Sequence, residues 1–135
     1  MNNHIVRAKR LDNGEWVEGY YVPDTNEKFG YIIGKVVDAC EEYFGPEWWY
    51  PVDPDTVCSC TGLEDNNSQQ LIFENDICNA IAGMSSTKGV IRWGNYGWLL
   101  DGDDGHKYFL HNIVRDCSVK VIGNTIDNPE LLEGQ

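Results

Sequence analysis

Four carboxylates near the middle of the chain have the chemistry of a cation site. They are Glu64, Asp65, Glu74 and Asp76. Carboxylate oxygens are the preferred protein ligands of Ca²⁺ and Mg²⁺, so these side chains would hold a hard cation if they converged. Their spacing does not match an EF-hand loop, however, and Asp side chains also shape turns by accepting hydrogen bonds from nearby N–H groups. We therefore interpret both pairs as parts of turns, and we expect neither a metal nor another cofactor.

A second acidic cluster, residues 101–105, has the sequence DGDDG. A calcium site needs about six to eight oxygens on a longer loop, whereas a tight hairpin turn accounts for both glycines. Cys58 and Cys60 would lie on the same face of a strand. A structural zinc site needs about four ligands, and no histidine stands at ligand spacing from this pair. We predict a turn at residues 101–105 and ordinary buried thiols at both cysteines.

Sequence motifs of nucleophilic catalysis and of phosphate binding are missing from the chain. It contains no G-x-S-x-G, no P-loop and no G-x-G-x-x-G. Cys117 follows His111 closely in the sequence, but this spacing does not establish a contact in space. We therefore expect a protein that is not an enzyme. The alternative is a metal-binding protein or an enzyme that uses the acidic turns.

The chain is strongly acidic, with a formal net charge of −12 that arises from 22 Asp and Glu against 10 Lys and Arg. Direct binding to a phosphate backbone needs clustered Lys and Arg. Because the densest basic run is only the RAKR of residues 7–10, we expect no direct nucleic-acid binding. Most of the acidic excess lies after Gly45. A further hypothesis is therefore an inhibitor that mimics the charge of nucleic acid and binds a basic host protein.

The expected compartment follows from features that the sequence lacks. No apolar run is long enough to cross a membrane, and residues 1–10 have no apolar centre of the kind found in signal peptides. The five cysteines are odd in number and irregular in spacing, which argues against a disulfide framework. We therefore expect no membrane contact and a cytoplasmic location in the host cell, with reduced thiols.

Short strands separated by turn residues predict a mostly β fold. Asp12-Asn13-Gly14 is a turn signal between two alternating segments, which predicts a β-hairpin over residues 5–22. The proline-containing stretch of residues 38–55 predicts a linker, with a helical turn at its start, over residues 38–43. Residues 1–55 are thus expected to form an N-terminal β subdomain.

After the linker, strands follow one another at short spacing. Residues 56–122 therefore predict a small barrel or sandwich. Within it we expect a polar link over residues 83–88 and a final strand that ends at Ile122. Residues 123–135 are predicted to form a C-terminal tail.

Trp48, Trp49 and Tyr50 are consecutive, and neighbours in a strand point to opposite faces. At least one ring therefore reaches an exposed face or another chain, where aromatic residues are enriched, or it lies against the linker. Leu131 and Leu132 are apolar residues in a polar tail that frays unless docking holds it. We predict that these five residues contact a partner, which is another protein or a second copy of the chain.

The chain resembles the YopX protein family in four places. The first joins Arg7 and Trp16 to residues 19–21, and the second runs from residue 52 into the TGLED of residues 61–65. The third is residues 72–77 followed by residues 89–93, and the fourth is the ending VIGNTIDNPELL of residues 121–132. The motif residues for which we expect structural roles are Arg7, Trp16, Thr61, Gly62, Leu63, Asp65, Asp76, Ile77, Gly123, Asn124, Asn128 and Pro129.

This resemblance implies a mostly β fold whose second half is a small SH3-like β-barrel, in a protein encoded by a phage or prophage of Gram-positive bacteria. It implies no activity. Asn75 stands where family members have glycine, and Asn is the residue that next best tolerates positive φ. Our first hypothesis is a non-enzymatic protein-binding or assembly module.

Overall fold

A computed structural model describes residues 5–23, 29–34, 36–39, 44–46 and 48–132, with only the backbone for 36–39 and 44–46. Strands dominate this part of the chain, which confirms the prediction of a mostly β protein. The chain forms two compact units, Met1–Ser59 and Cys60–Gln135, which we call the N-terminal and C-terminal units. The division falls inside a strand and not in the proline-containing stretch that precedes it. No helix in the described residues is long and apolar enough to cross a membrane.

The N-terminal unit is built on an antiparallel sheet. Its strands are β1 (Val6–Lys9), β2 (Trp16–Pro23), β3 (Gly30–Ile33), β4 (Val36–Ala39), β5 (Phe44–Pro46) and β6 (Trp49–Val52), and β7 (Cys58–Glu64) starts in this unit. The sheet order is β6-β3-β2-β1, with Arg7 of β1 opposite Cys58 of β7, while β4 and β5 pair with each other. A single 3₁₀ turn, Pro54–Thr56, precedes β7.

The predicted N-terminal hairpin is confirmed. β1 and β2 pair antiparallel from Val6 opposite Gly19 to Lys9 opposite Trp16. Gly14 has φ of +74°, which glycine adopts without the steric cost that a Cβ brings. The Asn13 side-chain oxygen accepts a hydrogen bond from the Glu15 N–H at 2.9 Å and closes the turn.

The predicted helical turn over residues 38–43 is wrong at its first two positions. Asp38 and Ala39 belong to β4 and pair with Gly45 and Phe44 of β5. The β-branched residues before them favour an extended backbone, and the strand continues through both positions. Residues 40–43 lie outside the described part of the chain.

One face of the N-terminal sheet is buried. Val6, Ala8, Ile32 and Val52 form its core, and Val17, Tyr21, Trp48 and Val57 pack around them. These residues alternate along each strand with outward-facing ones, as a half-buried antiparallel sheet requires.

The C-terminal unit contains the rest of β7 and a second antiparallel sheet. The further elements are β8 (Leu71–Phe73), β9 (Asp76–Ala82), β10 (Ser85–Gly94), β11 (Gly97–Gly102), β12 (Lys107–Phe109), α1 (Leu110–Asp116) and β13 (Ser118–Asn124), followed by a 3₁₀ turn, Pro129–Leu132. The sheet order is β12-β11-β10-β9-β13, so the last strand pairs with the first strand of the β9–β11 meander. Its core residues are Ile72, Cys78, Ala80, Ile91, Leu100, Leu110, Ile113 and Val119.

Three features of this unit differ from the sequence-based expectation. The last strand, β13, ends at Asn124 and not at Ile122, because Gly123 and Asn124 pair with Ile77 and Asp76 of β9 instead of starting the predicted tail. Residues 83–88 are not a polar link, since β10 starts at Ser85 and pairs with Ala82 of β9. The connection is a two-residue turn, and the polar residues after it occupy the exposed end of a strand. Helix α1 was not predicted, although Leu110, Ile113 and Val114 have the spacing of an apolar helical face. Of these residues, Leu110 and Ile113 are buried in the core.

Candidate functional site

Asp65, the last residue of the TGLED motif, is a buried carboxylate with hydrogen bonds to both oxygens. It is 1% exposed. Its Oδ1 accepts from the N–H of Ser68 (2.9 Å) and Gln70 (3.3 Å), and its Oδ2 accepts from the N–H of Val121 (3.1 Å). Burial raises the pKa of Asp65, but the bonds from Val121, Ser68 and Gln70 outweigh burial and hold this pKa below its ordinary value.

The next residue, Asn66, ties the helix to the final strand. Its Nδ2 donates to the carbonyl oxygens of Val114 (2.9 Å) and Cys117 (2.5 Å), at the end of α1. Its Oδ1 accepts from the N–H of Val119 in β13 at 2.6 Å. Asp65 and Asn66 together therefore bind the N–H groups of two alternate residues of β13, far away in the sequence.

The start of TGLED has a structural role as well. The Thr61 hydroxyl donates to the carbonyl oxygen of Ile72 at 2.7 Å and accepts from the N–H of Leu63 at 3.1 Å. Gly62 has φ of +82°, a conformation that strains any residue with a Cβ. Leu63 then packs on the core of the C-terminal unit. The motif forms the end of β7, where the pairing with β8 is irregular between Cys60 and Glu64, and Asp65 starts the connection to β8.

The segment around Asp76 forms a second fixed turn. Asp76 is fully buried, and its Oδ2 accepts from the N–H of Phe73 at 2.8 Å. Asn75 before it has φ of +71°, in the left-handed region that Asn tolerates. The backbone of Asn75 donates to Ile91 O and accepts from Thr125 N–H, each at 2.9 Å. Ile77 is fully buried in β9, so this motif joins β10 to the chain ending.

The ending is also locked by its own side chains. Asn124 Oδ1 accepts from the N–H groups of Ile126 (3.0 Å) and Asp127 (2.8 Å), and Asn128 Oδ1 accepts from Asn124 N–H at 3.2 Å. A Cβ on Gly123 would lie 2.7 Å from Asn128 Oδ1, so the close approach needs glycine. Pro129 then starts the 3₁₀ turn.

The motifs that the sequence singled out are thus bonded to one another across the C-terminal unit. A family model described as YopX protein matches residues 7–133, which is nearly the whole chain. This chain belongs to the YopX protein family. No curated protein and no solved structure matches it.

The YopX signature residues of the C-terminal unit hold strands, turns and the chain ending in place. Thr61, Asp65, Asp76, Asn124 and Asn128 all make hydrogen bonds to backbone groups of this unit. Among the described residues, no three His, Cys, Asp or Glu side chains are grouped so that they could hold a metal ion.

The turn predicted over the DGDDG segment is confirmed for residues 103–105, between β11 and β12, whereas Asp101 and Gly102 belong to β11. Asp104 Oδ1 accepts from the N–H of His106 at 2.9 Å, and its Oδ2 accepts from the Tyr108 hydroxyl at 2.5 Å. The bond from Tyr108 lowers the pKa of Asp104 and raises the pKa of Tyr108. The Asp101 carboxylate lies 3.5 Å from Nε of Arg92, so its ionic partner differs from the partners of Asp104.

The cysteines differ in accessibility, and this difference predicts their reactivity. Cys58 and Cys78 are buried, while Cys60 and Cys117 are partly exposed. The prediction of a buried thiol is therefore confirmed for Cys58 and wrong for Cys60. Burial raises the pKa of Cys78, and the nearby carboxylates of Asp76 and Asp65 raise it further. The thiolate is the reactive form. We therefore expect iodoacetamide to modify Cys60 and Cys117 in the native protein well before Cys58 and Cys78.

Peptide mass mapping after timed alkylation measures this order, and the same reaction in denaturant serves as the control, because all thiols are then accessible. Native alkylation of Cys78 at the rate of Cys117 would contradict the prediction.

The outward face of the N-terminal sheet carries exposed apolar side chains. Tyr20 is 44% exposed, Val22 41% and Trp49 58%. Val22 lies opposite Tyr31 across β2 and β3, and the rings of Tyr31 and Trp49 meet edge to face with centroids 5.8 Å apart. Ile33 pairs with Trp49 on the same face. We call this surface the aromatic face; its residues are Tyr20, Val22, Tyr31, Ile33 and Trp49.

Two cationic side chains, those of Arg7 and Lys9, lie on the same face of the sheet as the aromatic face. The Arg7 guanidinium lies 4.7 Å from the centroid of the Trp16 ring, and the Lys9 ammonium lies 5.6 Å from it. Such cation–π contacts stabilise a surface by about 0.5–1 kcal/mol each. The N-terminal motif residues Arg7 and Trp16 are therefore packed together beside the aromatic face.

The five residues predicted to contact a partner separate into different environments. Trp49 alone of the aromatic triplet lies on the aromatic face, because Trp48 packs against the core of the N-terminal unit. Tyr50 lies under the Arg10 guanidinium, which is 3.7 Å from its ring centroid. In the C-terminal unit, Leu131 is half-buried beside Gly123, and Leu132 is 38% exposed.

Proposed function

We propose that this YopX protein is a non-enzymatic binding module that docks a protein partner on its aromatic face. The observation that carries the proposal is the group of exposed rings and aliphatic side chains on one side of β2, β3 and β6. Buried apolar surface drives most protein association, and large aromatic residues supply most of the hot spots in interfaces. Trp49 is the central anchor in this proposal, since its ring is the most exposed of the group.

The charge of the chain favours a protein over a nucleic acid as the partner. Aromatic platforms that bind single strands combine stacking rings with a basic groove. Here Arg7 and Lys9 are stacked on Trp16 in a protein of net charge −12, which repels a phosphate backbone at long range. A protein partner that presents apolar side chains to the aromatic face is not subject to this electrostatic repulsion.

The proposal includes the architecture and origin of the module. In it, the C-terminal unit is an SH3-like barrel. The β9–β11 meander, a short helix directly before the last strand and the pairing of that strand with β9 support this. Family membership supports a phage or prophage origin with action in the host cytoplasm.

The test compares variants in the capture of a partner from infected host cells. Trp49→Ser and Tyr20→Ser are each expected to weaken binding to the captured and purified protein about 30-fold, as loss of a hot-spot aromatic does. Trp93→Ser is the matched control, since Trp93 is 63% exposed but lies in the C-terminal unit. Equal capture by all three variants would refute the aromatic face as the site. A steep loss of wild-type binding with added salt would instead favour the acidic-mimic hypothesis.

A further inference from the structure

An open cleft lies on the C-terminal unit, on one face of the β9–β10 hairpin near its tip. It has a volume of about 210 Å³, and Ala80, Ala82 and Thr87 line it together with Tyr108, Ile113 and Cys117. The short side chains of Ala80 and Ala82, which line the cleft, leave its space unfilled. Its wall on the side of Tyr108 is fixed, because the hydroxyl of that residue is bonded to Asp104.

The volume of the cleft and the residues that line it indicate which chemical group could bind there. Pockets for drug-sized ligands and cofactors enclose about 300–1,000 Å³, so this cleft suits one side chain better than a whole small molecule. No charged side chain lines it. Hydroxyls and a thiol are its polar groups, and the rest of the surface is apolar. An uncharged, flexible, apolar side chain is the best fit.

Such a side chain stands directly beside the cleft, at the tip of the same hairpin. Met84 is fully exposed, at 106% of its reference area. The turn has Gly83 at its first position, with φ of +62°, and its second position is ordinarily taken by a small polar residue. Local structure therefore gives no reason for methionine here. Its unbranched thioether chain is suited to filling irregular gaps.

A projecting side chain and an empty cleft on one patch make that patch complementary to itself. In a twofold dimer the same patch is used by both copies, so that residue i of one meets residue j of the other and the reverse. We propose that two copies of this chain associate through their β9–β10 hairpins, with Met84 of each copy inserted into the cleft of the other. This site is separate from the aromatic face and does not depend on it.

Mass measurements over a wide concentration range test the dimer. Light scattering and sedimentation equilibrium of the wild-type protein are expected to show a discrete dimer that dissociates on dilution, because only two side chains anchor the contact. Met84→Ser removes the anchor, and Ala82→Phe fills the cleft from an exposed position. Each is expected to raise the dimer dissociation constant at least about tenfold.

Two control variants and one cross-linking variant test the dimer further. Met84→Leu nearly conserves volume and is expected to retain the dimer, and Leu11→Ser, at a 50% exposed site in the N-terminal unit, is expected to leave it unchanged. Met84→Cys is expected to form an oxidised cross-link to Cys117 of a second copy, which gives a dimer band on a non-reducing gel. A wild-type chain that is monomeric at near-millimolar concentration, or a dimer that survives Met84→Ser, would overturn the proposal. Neither result would affect partner binding at the aromatic face.

Discussion

Replacement of Asp65 by Asn is expected to lower the free energy of unfolding by about 2–4 kcal/mol. The carboxylate accepts hydrogen bonds from Ser68, Gln70 and Val121 while fully enclosed. An amide of the same shape must turn its NH₂ group toward at least one of these N–H donors, which leaves buried donors without an acceptor. Urea denaturation at neutral pH, followed by tryptophan fluorescence, measures the change.

Glu64→Gln is the matched control for this substitution. It makes the same carboxylate-to-amide change one residue earlier, at an exposed position. We expect a change within about 0.5 kcal/mol, as for other surface sites. Equal stability of the Asp65→Asn variant and the wild type would contradict the hydrogen-bonding role of Asp65.

The same carboxylate predicts a dependence on pH. Since the pKa of Asp65 is lower in the folded protein than its ordinary value, the unfolded chain binds the proton more tightly. The stabilisation is therefore complete above about pH 4, the unfolded pKa of Asp, and is lost as the pH falls through the folded pKa. The difference in the free energy of unfolding between the wild type and Asp65→Asn should therefore decrease as the pH falls from about 4 through the folded pKa of Asp65.

Gly19→Ala is the second substitution with a large expected effect, in the other unit. A Cβ at Gly19 would overlap the backbone oxygen of Ile33 in the adjoining strand and lie 2.8 Å from Cγ2 of Ile32. No rotamer relieves a clash with backbone, so β2 and β3 must separate. Overpacking of this kind costs about 1–3 kcal/mol and occasionally more.

Hydrogen exchange read by mass spectrometry localises this effect. Peptides from β2 and β3 are expected to lose protection in Gly19→Ala, while peptides from β9 and β13 keep theirs. Glu18→Ala, at the neighbouring exposed position, should exchange like the wild type. Unchanged protection in β2 and β3 would show that the strands tolerate the added methyl group.

Local sequence signals predicted part of this fold correctly. The N-terminal hairpin follows from Asp12-Asn13-Gly14 between two alternating segments. The turn signal and both strand patterns lie within one short stretch of sequence, so they can be recognised without knowledge of distant contacts. Helix α1 has only seven residues, which are too few to form a long periodic pattern in the sequence. The polar residues from Ser85 onward predict a loop, because exposed strand ends and loops have similar compositions. In both cases tertiary packing decides the conformation.

The roles of the signature residues required the structure. The TGLED carboxylate was correctly expected to shape a turn, but its bond to Val121 joins positions 56 residues apart. Asn66 was not singled out at all, although it makes three long-range bonds. No local pattern encodes such partners. The aromatic face is similar, because Tyr20, Tyr31 and Trp49 become neighbours only when β2, β3 and β6 align.

The side chains bound along β13 also affect how the protein behaves at high concentration. A strand at the border of a sheet normally exposes unbonded N–H groups, and these serve as a template on which another chain can extend the sheet into fibrils. In this protein the outward N–H groups of Val119 and Val121 are already taken by Asn66 and Asp65. The side chains of Asn66 and Asp65 thus take the place of a neighbouring strand, and they protect this edge strand against aggregation.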